Sequence, residues 1–306
     1  MTKQMYHKPV LLNESIDALI TDPNGVYVDC TFGGGGHSRE ILKRLGENGK
    51  LFGFDQDQDA KRNIIDDHRF ELVSQNFRYL KNNLRFFGIQ KIDGVLADLG
   101  VSSHQFDTPE RGFSIRFESE LDMRMNQFSN LTAAKILNEY EEEDLANVFY
   151  YYGELRNARK LAKEVVAHRS IQPIRTVEDV KDIFNYIPKN RENKFLAQLF
   201  QSLRIEVNDE MAALKEMLSQ TAEIIKTDGR LVVISYHSLE DRLVKRYIKN
   251  GMFESEPERD IYGNWYAPFK PLQSKVVVPT DEEIVQNPRA RSAKMRVAVK
   301  IEKNNG

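Results

Sequence analysis

Cysteine is almost absent. The 306-residue chain carries one, Cys30, so it can form neither an internal disulfide nor a cysteine-rich zinc site. No apolar run approaches the ~20 residues of a membrane-spanning helix, so no membrane partner is expected. The opening MTKQMYHKPVLLNE places basic residues before only a short apolar run with no small-residue cleavage site, so it does not read as an export signal. The expected compartment is the cytoplasm. A charge excess of either sign is missing too: 44 basic against 46 acidic residues leave a net of −2. Bulk charge therefore argues for no nucleic-acid partner, and any such case must rest on local patches and on chemistry. Repeats and low-complexity linkers are also lacking. What remains is an ordinary globular composition, 41% hydrophobic and 29% charged, which excludes a disordered or collagen-like chain. The length suits one large or two coupled domains.

The first hundred residues alternate helix and strand signals. Val10, Leu12, Ile16, Leu19 and Ile20 form an amphipathic stretch ending at the turn Pro23-Asn24-Gly25. A short strand, Val26 to Cys30, runs into Gly33-Gly34-Gly35-Gly36, and Ser38 is placed to cap a following helix that stops at Gly46. Leu51 to Asp55, Phe70 to Val73 and Gly94 to Asp98 read as three further strands. Phe77, Leu80, Leu84 and Phe87 recur at helical spacing between the last two. The next convincing buried strand is Arg230 to Ser235, far beyond the ~30 residues of one βαβ step. The intervening stretch reads as helices over 131–138, 141–152, 156–168, 176–187 and from 195 onward, and alternation in Met295, Val297, Val299 and Ile301 marks a last strand. The expectation is an α/β core formed by residues 1–105 and 207–306, with an all-helical domain, 106–206, inserted in it.

A strand, a glycine-rich turn and a helix N-terminus are the physical recipe for holding an adenosine cofactor. The dinucleotide fingerprint G-x-G-x-x-G fails in both registers, because Ser38 and Arg39 stand where the third glycine belongs. The Lys-Ser/Thr ending of a phosphate-binding loop is missing as well. Asp29, beside the loop, would repel a pyrophosphate but suits the ammonium or sulfonium of S-adenosylmethionine. Asp55 ends the second strand about 20 residues beyond the glycines, where a carboxylate accepts from ribose hydroxyls. Both aspartates would also serve as strand-end caps in any α/β protein. His37 reads equally as part of the helix entry. Asn76-Phe77 follows the third strand, where an amide and an aromatic ring meet adenine, although Phe77 also belongs to an apolar stripe.

The fourth strand ends Asp98-Leu99-Gly100-Val101-Ser102-Ser103-His104-Gln105, and the carboxyl end of a central strand is where an open α/β sheet places its chemistry. Cytosine C5 methylation needs a cysteine nucleophile, and the single cysteine lies at the cofactor loop. Direct transfer to an exocyclic amine or a hydroxyl needs only an acceptor such as Asp98 and alignment, with Ser102 or Ser103 helping to hold the amine. Ser235 to Asp241 follows the fifth strand. Adjacency forbids a Ser-His-Asp triad there. A capping box with Ser238 as cap and Asp241 at N3 is the plain explanation, and it leaves Tyr236 and His237 to cover a target base. Basic residues gather locally in Arg156, Arg159, Lys160, Lys163 and Arg169, again in Arg242, Lys245, Arg246 and Lys249, and in the run Pro288 to Arg296. Solvated helix faces explain the first two groups. The last, with four cations in eight residues, reads better as a phosphate contact.

These motifs together resemble one family, the ribosomal RNA small subunit methyltransferase H or MraW family. The matching segments are His7 to Leu12, Asp29 to Ser38, Asp98 to Gln105, Pro109 to Ser114, Leu121 to Met125, Ser235 to Arg242 and Asn287 to Arg296, in order along nearly the whole chain. The resemblance implies a Rossmann-like class I methyltransferase core and S-adenosyl-L-methionine as cofactor. It also implies N4-methylation of a decoding-centre cytidine in the 16S rRNA of the small ribosomal subunit. Cofactor contacts are implied at Gly35, Gly36, His37, Asp55, Phe77, Asp98 and Gln105, and no metal. Self-association into a homodimer is compatible with the sequence.

Overall fold

In the computed structural model of the protein, residues 9–302 are described except 255, 256, 258, 260–262 and 264. His7 and Lys8 of the first motif lie outside the described residues. The short strands expected from the sequence join a seven-stranded sheet of order β3-β2-β1-β4-β5-β7-β6. Its members are β1 (Val26–Asp29), β2 (Lys50–Phe54), β3 (Phe70–Val73), β4 (Ile92–Asp98), β5 (Ile225–Ser235), β6 (Phe269–Pro271) and β7 (Lys294–Lys300). The first five are parallel, and β7 runs antiparallel to both β5 and β6. Strand order reverses beside β1, whose two neighbours are β2 and β4. That reversal is the switch point where an open α/β sheet leaves a crevice at the carboxyl ends of its strands.

Helices α1 (Leu12–Leu19), α2 (Gly36–Arg44) and α3 (Leu80–Phe86) precede β4. Between β4 and β5 come α4 (Ser103–Asp107), α5 (Ala133–Glu139), α6 (Glu142–Tyr151), α7 (Ala158–Arg169), α8 (Val177–Ile183), α9 (Lys189–Asn208) and α10 (Glu210–Ile224). Helices α11 (Ser238–Asn250) and α12 (Asp281–Gln286) follow β5. The chain divides into two compact units: one holds everything up to Gly100 and from Ala212 onward, the other Val101–Met211. The second unit begins earlier and ends later than the 106–206 expected, and so takes in Ser102, Ser103 and Gln105.

The parallel strands of the sheet unit are covered on both faces, which is why they read as continuous apolar runs rather than alternating ones. Leu51, Leu96, Val232 and Ile234 pack with Ile16, Leu19 and Ile41 on one face. Phe52, Val95, Ala97 and Val233 pack with Leu80, Leu84, Leu214 and Met217 on the other. The helical unit has its own core, centred on Phe149, Leu161, Val165, Leu199 and Leu203. Two arginine motifs of the sequence serve that unit structurally. Arg124 forms a two-pronged pair with Asp122, at 2.8 and 2.7 Å, and Arg111 donates to the Arg124 carbonyl at 2.8 Å.

Three local readings change. Helix α2 begins at Gly36, and its N-cap is Gly35 at φ 72°, so Ser38 lies inside the helix. The left-handed conformation at Gly35, cheap only for glycine, starts the helix earlier than the serine signal suggested. Strand β5 begins at Ile225, before Arg230, and passes through Asp228 at φ 65°. Strand β6 escaped the sequence reading because three residues ending in proline carry no alternation.

Candidate active site

Four strand ends meet at the switch point: Asp29 of β1, Asp55 just past β2, Asp98 of β4 and Ser235 of β5. Backbone register aligns them, pairing Asp29 with Gly53 of β2 and with Leu96 of β4, and Asp98 with Ile234.

The glycine loop between β1 and α2 is braced from beneath. Asp29 is 1% exposed; its Oδ2 accepts from Ser38 Oγ at 2.7 Å and its Oδ1 from the Thr31 N–H at 3.1 Å. The carboxylate that the sequence places beside a cationic ligand group also holds the loop's two ends together. Asp55 Oδ2 accepts from the Gly33 N–H at 2.8 Å, and Oδ1 from the Asp57 N–H at 2.8 Å. Burial pushes Asp55 up to about 6, against the opposing pull of those two N–H groups. Asn76 caps the next turn through Arg78 N–H and donates to Gln56 Oε1 at 2.9 Å, so its amide is committed locally. Phe77 opens a short 3-10 turn, half-buried at the sheet edge, and the helical run begins only at Leu80.

Asp98 is the centre of the second cluster. Its backbone N–H donates to Thr31 Oγ1 at 2.8 Å, its Oδ1 accepts from the Tyr236 hydroxyl at 2.8 Å, and its Oδ2 lies 3.8 Å from His37 Nδ1. The side chain is 21% exposed. Burial pushes Asp98 up to about 6, while a protonated His37 and the Tyr236 hydrogen bond pull it down. The Tyr236 phenol is driven well above its ordinary range by burial and then by Asp98, which keeps it a hydrogen-bond donor. Gly100, at φ 101°, lets the chain turn directly after this carboxylate.

Tyr236 and His237 have different neighbours. His237 is the N-cap residue of α11, and its Nε2 lies 3.1 Å from Oε1 of Glu240, itself 2% exposed. Glu240 Oε2 accepts from the Tyr236 N–H at 2.9 Å. The capping box is thus His237 with Glu240, one residue earlier than Ser238 with Asp241. Asp241 is freed for a different task and forms a two-pronged pair with Arg296, at 2.7 and 3.2 Å. Within the C-terminal basic run, Arg296 is held by this carboxylate and Lys294 lies 3.8 Å from it, while Arg291 is exposed. In the helical unit Arg169 likewise donates to the Leu137 carbonyl at 3.0 Å. Gln105 and Ser102 form a capping box at the start of α4, with Ser102 N–H donating to Gln105 Oε1 at 3.0 Å and Gln105 N–H to Ser102 Oγ at 3.2 Å. Ser103 is the first residue of that helix and half-buried.

The sequence reading missed Thr31 and Glu240, which hold the two ends of the cluster. A threonine two residues past a strand-end aspartate is a turn signal that was available. Nothing local marks Glu240 as buried.

A doubly wound sheet with a glycine loop after β1, carboxylates ending β2 and β4, and a final antiparallel strand beside β5 defines a class I methyltransferase. The chain belongs to the MraW methylase family, whose model matches residues 4–301. It is 60% identical to ribosomal RNA small subunit methyltransferase H of Flavobacterium johnsoniae, over 98% of this chain and 99% of that protein. Proteins of the same name from Christiangramia forsetii and Bacteroides thetaiotaomicron are 60% and 58% identical, over 97% and 96% of this chain and 98% and 97% of theirs.

The cofactor is S-adenosyl-L-methionine, and the residues present fit it. A Cβ at Gly35 would meet Phe32 at 2.9 Å, and one at Gly36 would run into the Pro9 ring, so the loop keeps its backbone bare. Replacing Gly36 by alanine is therefore expected to displace Pro9 and weaken cofactor binding in calorimetry; unaltered affinity would show that the loop tolerates the shift. The absence of the dinucleotide glycines predicts no heat from NAD in the same cell.

Proposed function

We propose that the protein methylates the exocyclic N4 of a decoding-centre cytidine in 16S rRNA of the small ribosomal subunit, which puts its work in the cytoplasm. The observation that carries this reading is Asp98: a largely buried carboxylate ending β4 at the switch point, with one oxygen steadied by Tyr236. The names of the relatives and the family resemblance support rRNA as the substrate.

When bound, S-adenosylmethionine supplies an electrophilic methyl, whose bonding pair to sulfur stays with sulfur as the new N–C bond forms. The chain's residues do the rest. The cytosine N4 lone pair is conjugated with the ring and becomes nucleophilic when an acceptor draws on its N–H, which is the role of Asp98. Tyr236 and the Thr31 hydroxyl fix that acceptor before the substrate arrives, so little reorganisation is left for the reaction itself. Ser102 and Ser103, beginning α4, are the residues we assign to holding the amine, and Gln105, Gly35, Gly36, His37, Asp55 and Phe77 to the cofactor side. In the helical unit, Arg156, Arg159 and Lys163 are exposed, as are the neighbouring rings of Tyr150 and Tyr151, and this mixture of cations and open aromatic faces suits an RNA partner.

No covalent step is required. Cys30 is 2% exposed, and burial drives its thiol well above its ordinary range, which disables it as a nucleophile. Cys30→Ser is expected to retain methyl transfer in single-turnover assays, whereas trapping of a Cys30–RNA adduct would overturn direct transfer. Base methylation mapped on small-subunit rRNA from cells with and without the gene tests the reading as a whole: loss of one N4-methyl cytidine supports it, and an unchanged map refutes it.

A further inference from the structure

Behind Asp98 the histidine of the glycine loop is locked in one orientation. His37 Nε2 lies 3.1 Å from the Val10 carbonyl oxygen. A carbonyl only accepts, so Nε2 carries the proton and Nδ1 of the neutral ring is left with a bare lone pair. That lone pair lies 3.8 Å from Asp98 Oδ2, while the other carboxylate oxygen is taken by Tyr236. Two electron-rich atoms facing each other in a site where His37 is 5% exposed repel, and a single proton placed between them turns repulsion into attraction.

The Val10 carbonyl is itself held in place at a cost. Leu11, the next residue, sits at φ 50° and ψ 40°, in the left-handed region that a branched side chain avoids. Its N–H donates to Glu283 Oε1 of α12 at 2.8 Å, across 272 residues of sequence. Strain kept at a non-glycine residue beside a site, with a distant carboxylate maintaining it, marks a position whose geometry matters.

We propose that His37 is a positioning residue that shares a proton with Asp98: the Val10 carbonyl fixes its tautomer, and its Nδ1 takes up the proton that Asp98 receives from the substrate amine. This rests on the amine-methylation reading. As the N–CH3 bond forms from the amine lone pair, the nitrogen is left with one proton in excess. The proton passes to Asp98 Oδ2 and on to His37 Nδ1, which leaves an ionised carboxylate and an imidazolium, and release of that proton to water restores the pair. The groups facing Asp98 are His37 from α2, Tyr236 after β5, Asp29 of β1 and Glu240 of α11, with Glu283 of α12 facing Tyr236. Of these, His37 favours the ionised carboxylate when it carries the second proton, and Asp29 and Glu240 oppose it.

Imidazole 15N spectra of the free protein, followed from about pH 5 to 8, provide a test independent of activity. The neutral His37 ring is expected as the Nε2–H tautomer, gaining its second proton at Nδ1. Asp98→Asn, which removes the partner of that proton, should shift the Nδ1 resonance at a fixed pH and leave the Nε2–H tautomer in place. In single-turnover assays, His37→Asn should move the acidic limb of the pH–rate profile to higher pH, with the rate recovering above it. A merely structural role would depress the rate equally at every pH. An Nδ1–H tautomer, an Nδ1 resonance indifferent to Asp98→Asn, or an unmoved acidic limb would each overturn the proposal. If His37→Asn fails to fold, the Asp98→Asn spectra decide alone. Methylation at some other atom would sink the amine reading, while the shared proton would still stand or fall on those spectra.

Discussion

At saturating S-adenosylmethionine, Asp98→Asn is expected to slow methyl transfer by ~10²-fold or more, the usual loss on removing one preorganised electrostatic group. Asparagine keeps an oxygen for the Tyr236 hydroxyl and the shape of the site, so the loss reports the missing charge. Single-turnover rates at saturating cofactor separate this from weakened binding, and an unchanged rate would remove Asp98 from the mechanism. The same variant carries a second expectation with opposite sign. Burial holds Asp98 at about 6 in the folded protein against 3.8 for the free side chain. A raised carboxylate binds its proton more tightly when folded, so its ionisation destabilises the fold as pH rises through that window, and the cost is fully present above it. Asp98→Asn should therefore stabilise the protein at pH 7 by about 3 kcal/mol, with the gain vanishing below about pH 4. Denaturant midpoints at the two pH values check it. A less active, more stable variant is the signature of a group kept for chemistry.

Asp55→Ala is expected to weaken S-adenosylmethionine binding by ~1.5–3 kcal/mol, the range for losing hydrogen bonds to a charged group. That corresponds to roughly 10- to 150-fold in the dissociation constant. Two effects contribute in the same direction. The carboxylate is placed to accept from ribose hydroxyls, and it also holds Gly33 N–H at 2.8 Å, so its removal loosens the glycine loop. Asp55→Asn divides them, since its amide oxygen can still accept from the Gly33 backbone while the charge is gone. Calorimetry showing parent-like affinity for both variants would place the ribose elsewhere.

The parallel half of the sheet was legible because its strands are short apolar runs between glycine and aspartate punctuation, as in Val26 to Asp29 and Gly94 to Asp98. Asp55 and Asp98 could be singled out because they stand at the carboxyl ends of strands, where an open α/β sheet binds its ligands. The misreadings arise where two signals compete within one turn. Ser38 and Ser238 are both good N-caps by composition, yet Gly35 and His237 take those positions, because left-handed backbone in one case and a buried Glu240 in the other fix where the helix starts. The ion pair at the end of the basic run escaped notice for a different reason: Asp241 lies 55 residues away from Arg296, and no local pattern announces their pairing. Contacts of that range, like Glu283 on Leu11, are what a single sequence conceals.

The placement of the helical unit between β4 and β5 also sets an order of assembly. During synthesis β1 to β4 emerge together, and β4 then waits as an open sheet edge until the whole helical unit and α10 have been made. An unpaired edge of Val95, Leu96 and Ala97 is a template for wrong pairing. A disordered connection of that length would add the loop-closure entropy of a long chain to the β4–β5 step. Because the insert has its own apolar core, it can collapse first and draw the ends of the chain into a defined span before β5 arrives. Substitutions deep in that core, such as Leu161→Ala or Leu199→Ala, should then slow sheet completion and favour aggregation of nascent chains, although neither residue is part of the sheet.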